Sequence, residues 1–382
     1  MRTANHLVFP LNFDSLQPLE TLATVFRSAF RAAFIVAALV LCVTGCGGGN
    51  GSGSSGGNTN TGGGSVNNGA AEVIYVVQQP ATGDGTILEF SATASGSVSP
   101  TATITPGSPL AQVNTDQDGN IYIVTAQGIS EYAAGTTGTP ASLRTIPVTT
   151  ATGIYEIDGM AVSPTGDILI GQDGGDVDEW SATQSGSVAP ERRIPGYSQT
   201  GGSLSPVVVA NQVAIDGSDN LYIAPLGITT VVPPAVVIYG PSANGTVAPS
   251  RTVNGTGLVT GVTVDSAGNI YTASETCTTV VGPPPAEPCN GIISEYAATA
   301  GATDPPIRTI SGALTQLNNL SGIKIDGAGN IFVVSTSLNF GTVTNPAVLK
   351  FAATATGNVS PTSSFTSTAW TTPDFNPSIA LH

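Results

Sequence analysis

Histidine is almost missing from this chain. Of the two in 382 residues, His6 lies near the start and His382 is the last residue. Beyond the first 45 residues His382 stands alone, which excludes a familiar Ser-His-Asp or Cys-His apparatus and His-rich zinc or iron sites. Charge is scarce too, at 9 % of residues, and one-sided, with 10 Lys and Arg against 25 Asp and Glu for a net −15. An acidic field of this kind repels nucleic acid and anionic lipid head groups, and tolerates neutral or cationic partners. Long apolar runs are absent. The one candidate, AAFIVAALVLCVTG, is shorter than the roughly 18–20 residues that cross a bilayer. What remains is rich in Gly (47) and Pro (27), yet 40 % hydrophobic, more than disordered chains carry. Polar but uncharged strands and turns fit an exported all-β protein.

Arg27 and Arg31 precede that apolar run, and small residues follow it, the order of a signal peptide over residues 1–45. Val43-Thr44-Gly45-Cys46 resembles the bacterial lipobox, which implies lipidation of Cys46, attachment to a membrane through acyl chains, and location at the outer membrane or cell surface. The stretch ahead of the apolar core is longer than usual for such leaders. Residues 46–70 comprise this cysteine and GGGNGSGSSGGNTNTGGGSVNNGA, a tether with no apolar face to bury. Without the leader the chain keeps 7 basic and 23 acidic residues.

From residue 71 the sequence repeats. VNTDQDGNIYIV starts at Val113, VAIDGSDNLYIA at Val213, VTVDSAGNIYTA at Val262 and IKIDGAGNIFVV at Ile323, with MAVSPTGDILIG at Met160 as a degenerate copy. Each unit is two alternating strands about a polar turn, a hairpin. The turn Asp (Asp116, Asp216, Asp265, Asp326) can bond backbone N–H groups just beyond it. A second hairpin follows each first one. Its opening strand ends in Phe90, Tyr132, Trp180, Tyr239, Tyr296 or Phe351, and its closing strand lies at fixed spacing, as in Glu131 to Arg144, Glu179 to Arg192 and Glu295 to Arg308. Six aromatics at one repeat position mean six equivalent sheets. A period near 50 residues with four strands per unit predicts a β-propeller over residues 71–382. The first copy begins at Val73 with what elsewhere is a second strand, and residues 377–382 match the missing first strand. The expectation is an all-β, six-bladed propeller of four-stranded antiparallel blades, closed by the C-terminal strand pairing into the first blade.

The repeat xVxVDxxGNIYxA resembles the NHL-repeat and gluconolactonase-like six-bladed propellers. The Asn-His-Leu triplet is absent from every copy, and the Asp that often follows the second strand is Thr125, Gln172, Pro225, Ser274 or Ser335. In gluconolactonase-like propellers, carboxylates and an Asn at the channel mouth hold a divalent ion that polarises a lactone carbonyl. The resemblance implies such a place for Asp158 and Asn211, which begin inner strands. Glu156, Asp158, Asp173 and Asp176 crowd one end of the third blade, and clustered carboxylates suit a hard cation such as Ca²⁺. A solvated acidic loop is the alternative reading.

The Glu/Arg pairs are read as neighbours on adjacent strands, where exposed pairs contribute about 0–1 kcal/mol. Cys277 and Cys289 bracket a Pro-rich loop. In an oxidising compartment they can form a disulfide, and two free thiols are the alternative.

In a four-stranded meander the first and third turns emerge on one face, and the second turn and blade-to-blade connection on the other. The first face carries uniform DxxGN turns. On the second, the second turn lengthens to about 11 residues in blade four (Pro225 to Ala235), 18 in blade five (Ser274 to Gly291) and 12 in blade six (Ser335 to Pro346) by repeat alignment. Apolar residues there, including Ile228, Val231, Val280, Leu338 and Phe340, mark a surface able to meet a partner. Three functions follow: an exported, lipid-anchored binding or scaffold module for a protein, glycan or small ligand; a divalent-metal-dependent lactonase or related hydrolase; or a structural surface protein without a discrete ligand.

Overall fold

The computed structural model describes residues 72–80, 83–172, 175–195, 209–226, 235–255, 257–276, 289–339, 342–370 and 378–382. They form six antiparallel sheets, each a meander of four sequential strands except at the seam. Blade two is β5 (Leu110–Thr115), β6 (Ile121–Thr125), β7 (Gly128–Tyr132) and β8 (Arg144–Pro147). Blade three is β9 (Ile157–Val162), β10 (Ile168–Gln172), β11 (Val177–Trp180) and β12 (Arg192–Ile194). Blade four is β13 (Val209–Ile215), β14 (Leu221–Leu226), β15 (Ala235–Tyr239) and β16 (Arg251–Asn254). Blade five is β17 (Leu258–Val264), β18 (Ile270–Thr276), β19 (Asn290–Tyr296) and β20 (Arg308–Ser311), and blade six is β21 (Leu320–Ile325), β22 (Ile331–Asn339), β23 (Thr342–Phe351) and β24 (Ser363–Ser367). One short 3₁₀ turn, Ala313–Thr315, is the only helical element among the described residues.

The seam is where the repeat placed it. Blade one is β1 (Val73–Gln78), β2 (Thr86–Ser91) and β4 (Ala102–Ile104), with β25 (Ile379–Leu381) as its innermost strand. Ile74 faces Leu381 and Val76 faces Ile379. Val73 and His382 exchange backbone hydrogen bonds at 2.7 and 3.0 Å. Gly322 of β21 has φ +71°, and a Cβ there would come within 2.9 Å of the Ile379 side chain. A second latch lies outside: β3 (Gly96–Val98) of blade one runs parallel to β24 of blade six. Phe90, Phe365 and Trp370 stack beside it with ring centroids 5.0–5.9 Å apart.

The six repeat aromatics are buried, and each belongs to a different apolar cluster. Each cluster joins two neighbouring blades: Trp180 fills the contact between blades two and three, Tyr239 that between three and four. The core is therefore a ring of six sheet-to-sheet contacts, so no blade buries its apolar face alone.

The turn Asp does what its repeat position implied, and more. Asp216 Oδ1 accepts from the N–H groups of Ser218 and Asn220, while Oδ2 accepts from Asn220 Nδ2 and, at 3.0 Å, the Tyr222 hydroxyl. Asp116 and Asp265 repeat the network. Burial beside these carboxylates pushes the Tyr122 and Tyr222 phenols up, so they stay donors at any physiological pH. The Asp-rich stretch 116–120 is thus a closed hairpin turn, with His382 packed over Gly119.

The Glu/Arg pairs are not the exposed neighbours the sequence reading took them for. Arg144–Glu131 has side chains only 9 % and 12 % accessible, and Arg192–Glu179 the same. Each arginine also reaches the next blade. Arg144 donates to the carbonyls of Gly166, Ser181 and Gln184, Arg192 to those of Asp219 and Pro241, and Arg308 to that of Ala355. The pairs staple blade to blade, because the arginine is long enough to cross the contact once the glutamate holds its Nε.

Candidate functional site

The two ends of the ring differ in how much of their loop structure is committed. On the uniform end, the third turns are tied to their neighbours. The N–H groups of Gly138, Gly186, Gly245 and Gly357 donate to Thr103, Thr145, Arg193 and Thr309 carbonyls of the preceding blade at 2.7–2.8 Å. All four glycines have φ between +67° and +79°, which only glycine adopts without strain. Together with the Asp networks, these bonds account for the sameness of that end by structure alone.

The opposite end carries the variation. Residues 227–234 join β14 to β15 and residues 277–288 join β18 to β19, and both segments lie outside the described residues. Ile228, Val231, Val280 and Cys277 are therefore outside the description, as are Phe340, Asp173 and the leader with Cys46. Where residues are described, part of the expected loop is strand. β18 and β19 pair out to Thr276 opposite Asn290. β22 and β23 pair out to Asn339 opposite Thr342, so Leu338, expected in a loop, stands in a strand opposite Val343. The stretch read as a 12-residue turn in blade six is a two-stranded ribbon. Repeat alignment missed it because Pro346 lacks an N–H and falls in the register shift between Ser335 and Ser337, where no ladder bond is required of it.

At the same end the inner strands share a register shift. It falls at Leu110/Gln112 in β5, Val209/Gln212 in β13, Val259/Gly261 in β17 and Ser321/Ile323 in β21. In β9 it lies between Ile157 and Gly159, which puts Asp158 at the bulge. Asn211 occupies the corresponding stretch of β13, with its side chain outside the description. Bulges re-aim a side chain where a strand opens onto a site. The carbonyl of Asp158 accepts from Gln112 Nε2 at 2.6 Å, and Gln112 Oε1 accepts from the Met160 N–H at 2.7 Å, a clasp between the inner strands of blades two and three. Glu156 is exposed just ahead of β9, and Asp176 is half-buried just ahead of β11. Among the described residues no three His, Cys, Asp or Glu side chains gather as metal ligands.

Two acids at this end, Asp178 fully buried and Glu275 half-buried, escaped the sequence reading. Asp178 is fully buried, bound by Arg193 through Nε and, at 2.6 Å, Nη2, and by Gln172 Nε2 at 2.6 Å. Gln172 Oε1 in turn accepts from the Tyr155 N–H. Burial pushes the Asp178 carboxyl up against the opposing pull of Arg193. Asp178 thereby anchors the acidic segment of blade three from beneath. Glu275, at the end of β18, accepts the N–H of Leu320 and so fixes the start of the next inner strand, and burial raises its carboxyl also. The sequence signal for Asp178 was a charged residue at a strand position where the other repeats are uncharged; Glu275 shares its repeat position with Asp173.

One cation stands apart. Lys324 of β21 donates to Asn114 Oδ1 of β5 at 2.6 Å. It lies deep in the molecule yet keeps some accessible surface. Burial, with no charged neighbour contributing, pulls its ammonium down to about 8.

No protein-family model matches the chain, and no curated protein matches it. Solved structures do resemble it. A crystal structure of a protein of unknown function from Bacteroides caccae is 9 % identical, with a TM-score of 0.50 over 82 % of this chain and 99 % of that one. The WD40 domain of Toxoplasma gondii coronin is 11 % identical, with a TM-score of 0.46 over 77 % of this chain and 68 % of that one. The propeller domain of Cps50 (Swd1) from Myceliophteria thermophila is 10 % identical, with a TM-score of 0.39 over 64 % of each. At these identities the Bacteroides caccae likeness speaks for the fold alone.

Proposed function

We propose that this chain is an exported, lipid-anchored binding module, held at the outer membrane or cell surface through Cys46. Its ligand, a protein, a glycan or a small molecule, docks on the variable end over blades four to six. Glu156, Asp158, Asp173, Asp176 and Asn211 form the rim. The observation that carries the reading is the contrast between the ends. The uniform end is held by repeated Asp and Gly hydrogen bonds, so substitution there is penalised by folding. The other end is where second turns differ in length from blade to blade, and variable loops on a rigid scaffold are where binding resides.

Trimming the second turns of blades four, five and six to the length in blade two tests the proposal. Melting temperature should change by only a few degrees while binding, read as recovery of intact cells or extracts on the immobilised domain, is abolished. Retained binding after trimming, with loss on mutating the DxxGN end, would place the site on the wrong side. Anchoring is tested separately: Cys46→Ala should release the protein from membranes and abolish incorporation of labelled fatty acid.

The proposal includes a Cys277–Cys289 disulfide in blade five. Cys289 directly precedes Asn290, which pairs with Thr276 at the end of the β18–β19 ladder, while Cys277 lies outside the described residues. Closing a loop of this size contributes roughly 2–3 kcal/mol. The exported protein should resist alkylation until reduced; two thiols alkylated without reductant would refute the pairing. A second reading, a metal-dependent lactonase or related hydrolase using Ca²⁺ or another divalent ion, draws on the bulge that carries Asp158. It requires a divalent ion in the purified domain by elemental analysis, and loss of lactone hydrolysis on chelation.

A further inference from the structure

We propose that Lys324 and Asn114 form an anion site inside the central channel that takes the carboxylate group of a small organic acid. The inference is independent of the variable-end site.

The geometry starts from the repeat. Asn114, Ala161, Ala214, Thr263, Lys324 and Ala380 occupy one register position on the six inner strands, immediately after Val113, Met160, Val213, Val262, Ile323 and Ile379. Four of the six are alanine or threonine. Blade one lies between blade six and blade two, and its inner strand offers only Ala380 there, so the lysine crosses past it to reach Asn114 at 2.6 Å. Asn114 is buried and is itself held by Nδ2 donating to the Met160 carbonyl at 2.9 Å. The amide oxygen is therefore aimed at the ammonium by a bond to a third blade.

The lysine's charge is otherwise unanswered. Arg144, Arg192, Arg193, Arg308 and Lys350 each have a carboxylate within 4.0 Å, and Arg251 donates to the Ala298 and Ala300 carbonyls. Among the described residues no carboxylate lies within that distance of Lys324. An ammonium has three N–H donors, and the neutral amide of Asn114 uses one. Buried charges are paired in folded proteins, because an unpaired one carries a large desolvation cost. Here two donors and a full charge are left on a side chain that keeps some accessible surface, with no carboxylate beside it among the described residues. An acceptor with a negative charge and two oxygens answers both, and a carboxylate has that form.

The test uses the exported domain with sodium acetate as probe, against sodium chloride at equal ionic strength. Acetate should raise the melting temperature saturably, and [1-¹³C]acetate should show saturation transfer from the protein. Lys324→Met should fold, with a melting temperature at pH 7 equal to or above that of the parent, and should lose both responses. Asn114→Ala should weaken acetate affinity several-fold while leaving the ammonium in place. The loop-trimmed protein should respond to acetate as the parent does, so failure of one site is distinguishable from failure of the other. No saturable response in the parent, an equal response to chloride, or an undiminished response in Lys324→Met would each overturn the proposal.

Discussion

Removing residues 378–382 is expected to leave a chain that does not fold on its own at physiological temperature. The segment is short, yet it is one of six inner strands. Its loss uncovers Ile74 and Val76, which are buried against it, and leaves the backbone groups of β1 unpaired on that edge. Losing two large apolar side chains costs about 3–6 kcal/mol by area. The lost ladder bonds add about 1 kcal/mol each. Their sum is comparable with the whole stability of an ordinary domain, about 5–15 kcal/mol. The parallel pairing of β3 with β24 remains, so the truncated chain should collapse to a partly ordered state that exposes an unpaired edge and aggregates. A peptide covering residues 374–382, added in excess, should restore part of the far-ultraviolet dichroism and the cooperative melt by supplying the strand in trans. Ile379→Ala in the intact chain, a milder form of the same lesion, should cost about 2–4 kcal/mol. An unchanged melt after truncation would mean that the outer latch alone closes the ring.

That the C-terminus belongs in the first blade was legible because the repeat has a fixed order and one copy lacked its first strand. The buried aromatics were legible for the same reason: six rings at one repeat position demand one environment. The Asp turns were legible from residue type alone, though the Tyr222 hydroxyl on Asp216 was not, since that bond spans the hairpin. What the sequence hid are contacts between blades. Arg192 sits 13 residues from Glu179, a spacing visible in the repeat, but its bonds to Asp219 and Pro241 cross to the next sheet, where no local pattern reaches. Lys324 and Asn114 are 210 residues apart, and only ring closure brings them together. Asp178 was passed over because an acid inside a strand reads as solvent-facing until its partners are seen. The ribbon of β22 and β23 was hidden by Pro346, which reads as a strand breaker unless a bulge takes it.

Arg192→Ala is expected to destabilise the protein by about 3–5 kcal/mol, several times the value of an exposed pair, because it leaves Glu179 buried without its partner. The guanidinium also satisfies the Asp219 and Pro241 carbonyls of blade four, so the same change loosens the contact between blades three and four. In a domain of this size the melting temperature should fall by roughly 6–12 °C. The pH dependence separates the charge effect from lost packing. Burial already holds the Glu179 carboxyl above its ordinary value, with Arg192 pulling the other way, so removing the arginine raises it further. A carboxyl whose folded pKa lies above its unfolded one binds more protons in the folded state. Its contribution to stability is present at acid pH and is lost as pH rises from the unfolded value through the folded one. The deficit of Arg192→Ala should therefore be largest near pH 7 and shrink on acidification toward pH 5, measured by urea unfolding at each pH. The double variant Arg192→Met, Glu179→Leu removes both charges and should recover much of the loss at pH 7. A deficit equal at both pH values and unchanged in the double variant would show that the arginine acts by bulk alone, and that the blades are held by their apolar clusters without the staple.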